Sequence, residues 1–267
     1  MEIKINNKLV FTDCTTLGTL RSDYAPPKDC ITILNGFALA QDSPLTPHDE
    51  VFFIDKHTLP PQEALEAMMC ARHTPHVHQK VKQGRVAIAG LGGLGSHVAI
   101  MLARTGVGQL HLIDFDTVDA SNLNRQAYKI KDLGHYKATS LAAELKEINP
   151  FITVKTDIVR VSQENIGTLF ADDYIVCESF DNPQAKALLI NGITEQYPEK
   201  YIIGASGMAG YGDSNRIITR RITDRFYLCG DGDSAAKPGR GLMAPRVNIC
   251  AGHEANLILE LLIKTNN

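Results

Sequence analysis

Val86-Ala87-Ile88-Ala89-Gly90-Leu91-Gly92-Gly93-Leu94-Gly95-Ser96 decides the fold. The apolar run Val86 to Ala89 reads as a short buried strand, and Ser96 to Thr105 reads as a helix. Between them stands G-x-G-x-x-G, in the strand-turn-helix context that the motif requires. Gly90 permits the tight turn, Gly92 lets backbone approach a phosphate or ribose, and Gly95 lets the helix pack on the sheet.

Toward the carboxyl terminus the same grammar repeats. Leu110 to Ile113 is the next strand, and Lys137 to Asn149 is an amphipathic helix stopped by Pro150. Strands Ile152 to Ile158 and Tyr174 to Val176, helix Pro183 to Tyr197 and strand Tyr201 to Ile203 follow. Arg216 to Ile222 reads as a further strand and Ala244 to Lys264 as a closing helix, with Gly230 to Gly241 predicted as a mobile loop. Alternating strands and helices define an α/β protein, a Rossmann-like, doubly wound, mostly parallel sheet with helices on both faces.

Toward the amino terminus the pattern is different. Ile3 and Ile5 alternate with polar residues, Asn6-Asn7 turns, and Leu9-Val10-Phe11 returns as a hairpin. Ile31 to Leu34 meets Asn35-Gly36, a strong hairpin dipeptide, before Phe37-Ala38-Leu39, and Val51 to Ile54 is a further β-rich run. Residues 1 to about 55 thus read as strands and turns. Pro60-Pro61 breaks the chain, and Gln62 to Arg72 reads as a short helix ended near Thr74-Pro75. The expected organisation is a small domain over residues 1–58, a linker and helix over 59–83, and the large domain over 84–267.

Composition excludes several classes of function. With 267 residues, 44% hydrophobic and 21% charged, the chain is of the soluble globular class. It has no run near the roughly 18 apolar residues of a membrane span. Lys and Arg number 27 against 30 Asp and Glu, so no global field attracts nucleic acid or anionic lipid. The start Met1-Glu2-Ile3-Lys4 lacks the apolar core of a signal peptide, which predicts a cytoplasmic location. Cys14, Cys30, Cys70, Cys177, Cys229 and Cys250 are scattered, without a C-x-x-C pair, which speaks against a zinc ribbon or a disulfide framework. His73, His76 and His78 fall in the predicted linker without a carboxylate or cysteine nearby, and no metal is expected there.

The chemistry gathers after the second strand of the large domain. Asp114, nineteen residues after Gly95, stands where an acidic residue holds ribose hydroxyls, a feature that fits an NAD enzyme equally well. The continuation Phe115-Asp116-Thr117-Val118-Asp119-Ala120-Ser121-Asn122-Leu123-Asn124-Arg125-Gln126 then supplies carboxylates, amides and an arginine beyond a strand's carboxyl end. A dehydrogenase has no need of that arginine, whereas an enzyme handling a triphosphate does, because guanidinium forks to phosphate oxygens. Lys137, opening the next helix, can reach the same phosphates. Glu178-Ser179-Phe180-Asp181-Asn182 brings a carboxylate back to this sheet edge, and Asp181 with Asp116 could supply the one or two carboxylates that Mg²⁺ takes beside phosphates. Any one of these residues alone could be a helix cap or a loop residue. The ordered set points to a nucleoside triphosphate held with Mg²⁺.

These runs, with Lys137 and Asp181-Asn182, resemble the adenylyltransferases that activate sulfur-carrier proteins, the ThiF/MoeB family related to ubiquitin-activating enzymes, and the likeness is closest to ThiF over about residues 72–264. The resemblance implies that ATP adenylates the terminal glycine of a β-grasp carrier ending in Gly-Gly and releases pyrophosphate, in biosynthesis of the thiamin thiazole. It implies nucleotide contacts at Gly90, Gly92, Gly93, Gly95, Asp114, Asp116, Ser121, Asn124, Gln126 and Asn182. Asn122 and Arg125 are expected on phosphates, Lys137 against developing charge, and Asp181 on magnesium. Relatives are homodimers in which an arginine enters the neighbour's site, and Arg72 is the candidate.

The family also carries C-x-x-C pairs for zinc; here Cys229 faces Phe226 where a partner cysteine would be, which predicts no zinc. The loop Asp231 to Met243 lacks a cysteine for a covalent adduct, so the reaction is expected to stop at the adenylate, with a cysteine desulfurase or similar protein delivering sulfur. Residues 1–54 resemble the carrier ThiS, a β-grasp, ubiquitin-like domain. They lack Gly-Gly, because the chain runs on through Asp55-Lys56-His57, so this domain is read as a docking or regulatory module. The rival readings are a superfamily member that activates a small molecule or a tRNA base, an NAD-dependent oxidoreductase, and a non-catalytic protein that binds ATP or a carrier.

Overall fold

In the computed structural model, which describes residues 1–58 and 60–264, the chain divides into two compact units, Met1–Lys80 and Val81–Asn267. Each is built around its own sheet.

The first unit contains β1 (Glu2–Ile5), β2 (Lys8–Phe11), α1 (Leu17–Tyr24), β3 (Cys30–Leu34), β4 (Phe37–Ala38), β5 (Glu50–Asp55) and α2 (Gln62–His73). Most of α3 (Pro75–Lys82) also belongs to it. Its five strands lie in the order β2-β1-β5-β3-β4. β1 runs parallel to β5, and the other pairings are antiparallel. Alternation along the strands gives the sheet two apolar faces. Ile3, Ile5, Val51 and Phe53 face Leu17 and Leu20 of α1. Ile33, Phe52 and Ile54 face Ala64 and Ala67 of α2.

Two expectations are corrected here. Leu17–Tyr24 is a helix, not a turn: the Thr16 side chain accepts from the Thr19 N–H in a capping box, and Leu17 and Leu20 are buried. Pro75–Lys82 is helical too, so the histidine-bearing stretch is not an irregular linker. Proline at the first helical position removes an N–H that has no intrahelical partner anyway.

The second unit contains β6 (Arg85–Ala89), α4 (Gly93–Arg104), β7 (Gln109–Ile113), α5 (Lys137–Ile148), β8 (Thr153–Asp157) and α6 (Ile166–Leu169). It continues with β9 (Ile175–Glu178), α7 (Pro183–Gln196), β10 (Tyr201–Ala205), β11 (Ile218–Arg221), β12 (Phe226–Gly230) and α8 (Ala244–Lys264). The sheet order is β11-β12-β10-β9-β6-β7-β8. All neighbours are parallel except β11, which pairs antiparallel with β12 at the edge. Counted in chain order, the six parallel strands run 3-2-1-4-5-6, the doubly wound order. Its direction reverses between β6 and β9, and ligands of such sheets bind at that crevice.

Helices α6 and α7 cover one face through Ile166, Phe170, Leu189 and Ile193 against Ala87, Ala89, Ile113, Val176 and Ile202. Helices α4, α5 and α8 also pack on strands of this sheet, so its apolar central strands are covered as a parallel sheet requires.

The stretch read as a mobile loop begins inside β12 and is then laced down. The buried Asp231 carboxylate accepts from the Asp233 N–H at 2.9 Å, the Ser234 N–H at 2.7 Å and the Ser234 hydroxyl, and pairs with the buried Arg246 of α8. Burial alone would raise the Asp231 pKa, but these donors and the guanidinium pull it well below the ordinary carboxylate value. Gly210 N–H donates to the Gly241 carbonyl at 2.7 Å, tying in the preceding Met208 to Asp213 turn as well.

Candidate functional site

The turn after β6 is made by the glycines. Gly90 has φ +90°, and a Cβ there would lie 2.9 Å from Ser179 backbone. A Cβ on Gly95 would come within 2.0 Å of the Gly90 carbonyl oxygen, so α4 can follow the turn this closely only with glycine there. Helix α4 opens at Gly93, earlier than the Ser96 expected, so Gly93-Leu94-Gly95 forms its first turn. The N–H groups at that end lack intrahelical acceptors and face the sheet's carboxyl edge, where they suit an anion.

Asp114 sits beneath the turn. Its Oδ2 accepts from the Leu91 N–H at 2.7 Å and its Oδ1 from the Asp116 N–H at 2.8 Å. Burial pushes the Asp114 carboxyl above its ordinary value, against the pull of those two N–H groups and of Lys137. Lys137, buried at the start of α5, donates from Nζ to Asp116 Oδ2 at 3.1 Å and from its backbone to the Asp116 carbonyl at 2.9 Å. The Asp116 side chain remains half exposed.

Arg125 lies over Gly93, its Cγ 3.5 Å from where a Cβ would stand. The guanidinium folds onto its own turn, donating to the Ser121 carbonyl at 3.0 Å and Asn124 Oδ1 at 2.9 Å. Gln126 is buried beside Gly92, and its Oε1 has no hydrogen-bond partner among the described residues.

Other predicted residues hold the turn itself. Asn122 Oδ1 accepts from the Asp119 N–H at 3.0 Å, Ser121 N–H donates to Asp119 Oδ1 at 2.8 Å, and Asn124 Nδ2 donates to the Leu242 carbonyl at 3.1 Å. Asn182 is the N-cap of α7, accepting from the Ala185 N–H at 3.0 Å. Asp181 follows β9 directly after Ser179-Phe180, the pair that touches Gly90; it is exposed, with no hydrogen bond to its carboxylate among the described residues. Arg72 lies exposed in the last turn of α2, in the first unit.

Magnesium bound chiefly by phosphates needs one or two carboxylates, and Asp181 offers an open one while Asp116 is shared with Lys137. Among the described residues no group of three or more His, Cys, Asp or Glu side chains is placed to hold a metal by itself. Cys177, Cys229 and Cys250 are buried, and burial raises all three thiols, Cys229 to about 12.

Sequence reasoning missed two features of this site. Tyr128 donates its hydroxyl to the Leu91 carbonyl at 2.8 Å, and nothing in the local sequence marked it. Lys186 donates to both carboxylate oxygens of the buried Glu178, at 3.1 and 2.9 Å, and Glu178 Oε1 accepts from the Phe180 N–H at 2.7 Å, which steadies the turn that carries Asp181.

Comparison with known proteins gives the family of each unit. Residues 66–267 match the ThiF family, and residues 1–57 match the ThiS-like ubiquitin family. The chain belongs to the ThiF family. It is 32% identical over 190 residues to the molybdopterin-synthase adenylyltransferase of Salmonella typhimurium, a match covering 69% of this chain and 75% of that protein. It is also 32% identical over 155 residues to MoeZ of Mycobacterium tuberculosis, named a probable adenylyltransferase/sulfurtransferase. That match covers 54% of this chain but only 39% of MoeZ. Among solved structures, the E. coli tRNA N6-threonylcarbamoyladenosine dehydratase TcdA in complex with ATP superposes with a TM-score of 0.68. At 20% identity, over 77% of this chain and 97% of that one, the likeness is one of fold.

Proposed function

We propose that the protein adenylates the carboxyl-terminal glycine of a sulfur-carrier protein ending in Gly-Gly, using ATP and releasing pyrophosphate. The observation that carries this reading is the convergence, at the switch point of a ThiF-family sheet, of the glycine turn, Asp114, the Asp116–Lys137 pair, Arg125 and Asp181. Adenylation of a carboxylate needs no general base, since the nucleophile is already ionised. Its barrier is the approach of two anions, and catalysis consists of positioning and charge cancellation.

In this reading the α4 N-terminus and Gly92 hold phosphate, and Asp114 fixes the turn and meets the ribose. Arg125 leaves Ser121 and Asn124 to fork onto phosphate oxygens, and Lys137, held ready by Asp116, meets the charge that develops on the α-phosphate. Magnesium at Asp181 would supply further charge neutralisation on the phosphates. The finer assignments are a carrier of the thiamin thiazole route, sulfur from a cysteine desulfurase, a cytoplasmic location, and a homodimer in which Arg72 reaches the neighbour's site. They rest on the likeness of the sequence to the thiamin branch of the family.

The test is carrier-dependent exchange of labelled pyrophosphate into ATP, with Mg²⁺ and a separate β-grasp protein ending in Gly-Gly. Exchange that disappears when the carrier's last glycine is removed is the expected result. Absence of exchange with a folded carrier and measurable ATP binding would overturn the reading in favour of another acceptor or of binding without turnover.

A further inference from the structure

The segment that carries Arg125 is latched along the glycine turn and the first turn of α4. The Arg125 carbonyl lies 3.1 Å from His97 Nε2, the Ala127 N–H donates to Ser96 Oγ at 3.2 Å, and the Tyr128 hydroxyl donates to the Leu91 carbonyl at 2.8 Å. The last contact has a direct stereochemical consequence. In a trans peptide the carbonyl and the following N–H point in opposite directions. The Leu91 carbonyl is turned into the protein toward Tyr128, which is itself buried, so the Gly92 N–H is turned out of it. Leu91 is also held at its own N–H by Asp114 Oδ2, so both flanking peptide planes are fixed, and Gly92 N–H has no backbone acceptor among the described residues.

We infer that Tyr128 is a positioning residue for the triphosphate: its hydroxyl sets the Leu91–Gly92 peptide so that the Gly92 N–H faces the phosphates, and the same latch keeps Arg125 over Gly93. The inference rests on the reading of this crevice as an ATP site. The phenol remains a donor throughout, because burial and the nearby Asp114 charge push its pKa above the ordinary tyrosine value.

The experiment compares full-length wild type with Tyr128→Phe, which keeps the ring and removes one oxygen. Calorimetric affinities are measured for ATP and for adenosine, which has no phosphates. Loss of the hydroxyl leaves a buried carbonyl unpaired and frees the peptide to rotate, so ATP affinity is expected to fall about five- to tenfold. Adenosine affinity is expected to stay within twofold, and in pyrophosphate exchange the loss is expected to fall on the ATP KM more than on kcat. ATP affinity unchanged in the variant, or an equal loss for ATP and adenosine, would overturn the role of Tyr128. Wild type that binds no ATP would instead remove the nucleotide reading, and this inference with it.

Discussion

The Arg125 guanidinium is satisfied by two acceptors of its own turn and must leave them to act. Both acceptors are neutral oxygens at a partly exposed site, so phosphate oxygens outcompete them through charge and bidentate geometry. Removing a phosphate-stabilising arginine from phosphoryl-transfer enzymes costs roughly 10³ to 10⁵ in rate, about 4 to 7 kcal/mol. Arg125→Ala should therefore lose pyrophosphate exchange on that order while its melting temperature stays within a few degrees; retention within tenfold would remove the role. The placement of Arg125, Lys137 and Asp114 around the strand ends was legible because they lie in local motifs with fixed spacing. Tyr128 was not, since its partner Leu91 stands 37 positions away. Asn182 shows the reverse limit: an asparagine before Pro183 reads as easily as a ligand, and here its oxygen caps α7.

Among the elements, α8, packed against α4 and on the sheet at β10, β11 and β12, buries an acid that the proposed chemistry does not use. Glu254, fully buried in α8, lies 3.9 Å from Cys177 Sγ of β9, with Glu178, Lys186, Cys229 and Cys250 in its electrostatic surroundings. Burial, and then the Glu178 charge, push Glu254 from 4.5 up to about 8, against the opposing pull of Lys186. A carboxyl whose pKa is raised on folding contributes stability that is fully present below its unfolded value and lost as pH rises through the folded one. Between pH 5 and 8 the loss is on the order of 3 to 5 kcal/mol. Glu254→Gln mimics the protonated acid, so it should match wild type at pH 5 and exceed it at pH 8 in urea unfolding; parallel curves at the two pH values would contradict the assignment. Neither the burial nor the shift could be read from the sequence, because α8 also carries Arg246, Glu260 and Lys264 and nothing local marks Glu254 as the fully buried acid. Strands β6, β7, β9 and β10 were legible because they are short, largely apolar runs, whereas β12, also parallel, was missed between the predicted edge strand and the glycine-rich loop. By contrast α1 was hidden, because Gly18, Thr19, Ser22 and Asp23 weaken its local propensity and its helicity is supported by the burial of Leu17 and Leu20.

For the whole molecule, the question is where the carrier-like unit ends. The sequence break at Pro60-Pro61 suggested residue 58, yet α2 lies beyond that point and places Ala64 and Ala67, with Met68 and Ala71, against Ile33, Phe52 and Ile54 of the first sheet. Val81, by contrast, is tied into the second unit: its carbonyl accepts from Gly84 at 3.0 Å and Gly108 at 3.3 Å. A chain starting at residue 59 would strip α2 of the apolar face it covers, leaving a continuous exposed patch of the kind that drives association. A chain starting at residue 81 leaves no such half-built layer. The shorter fragment, 81–267, should therefore elute as a discrete species, bind little hydrophobic dye and retain ATP binding. The longer one, 59–267, should bind dye and aggregate on concentration. Equal behaviour of the two fragments would show that α2 does not depend on the first sheet. If the carrier-like unit serves docking, fragment 81–267 should also show a raised KM for the carrier; because the fragment loses Arg72 as well, the control is Arg72→Ala in the full chain, which should leave the carrier KM unchanged.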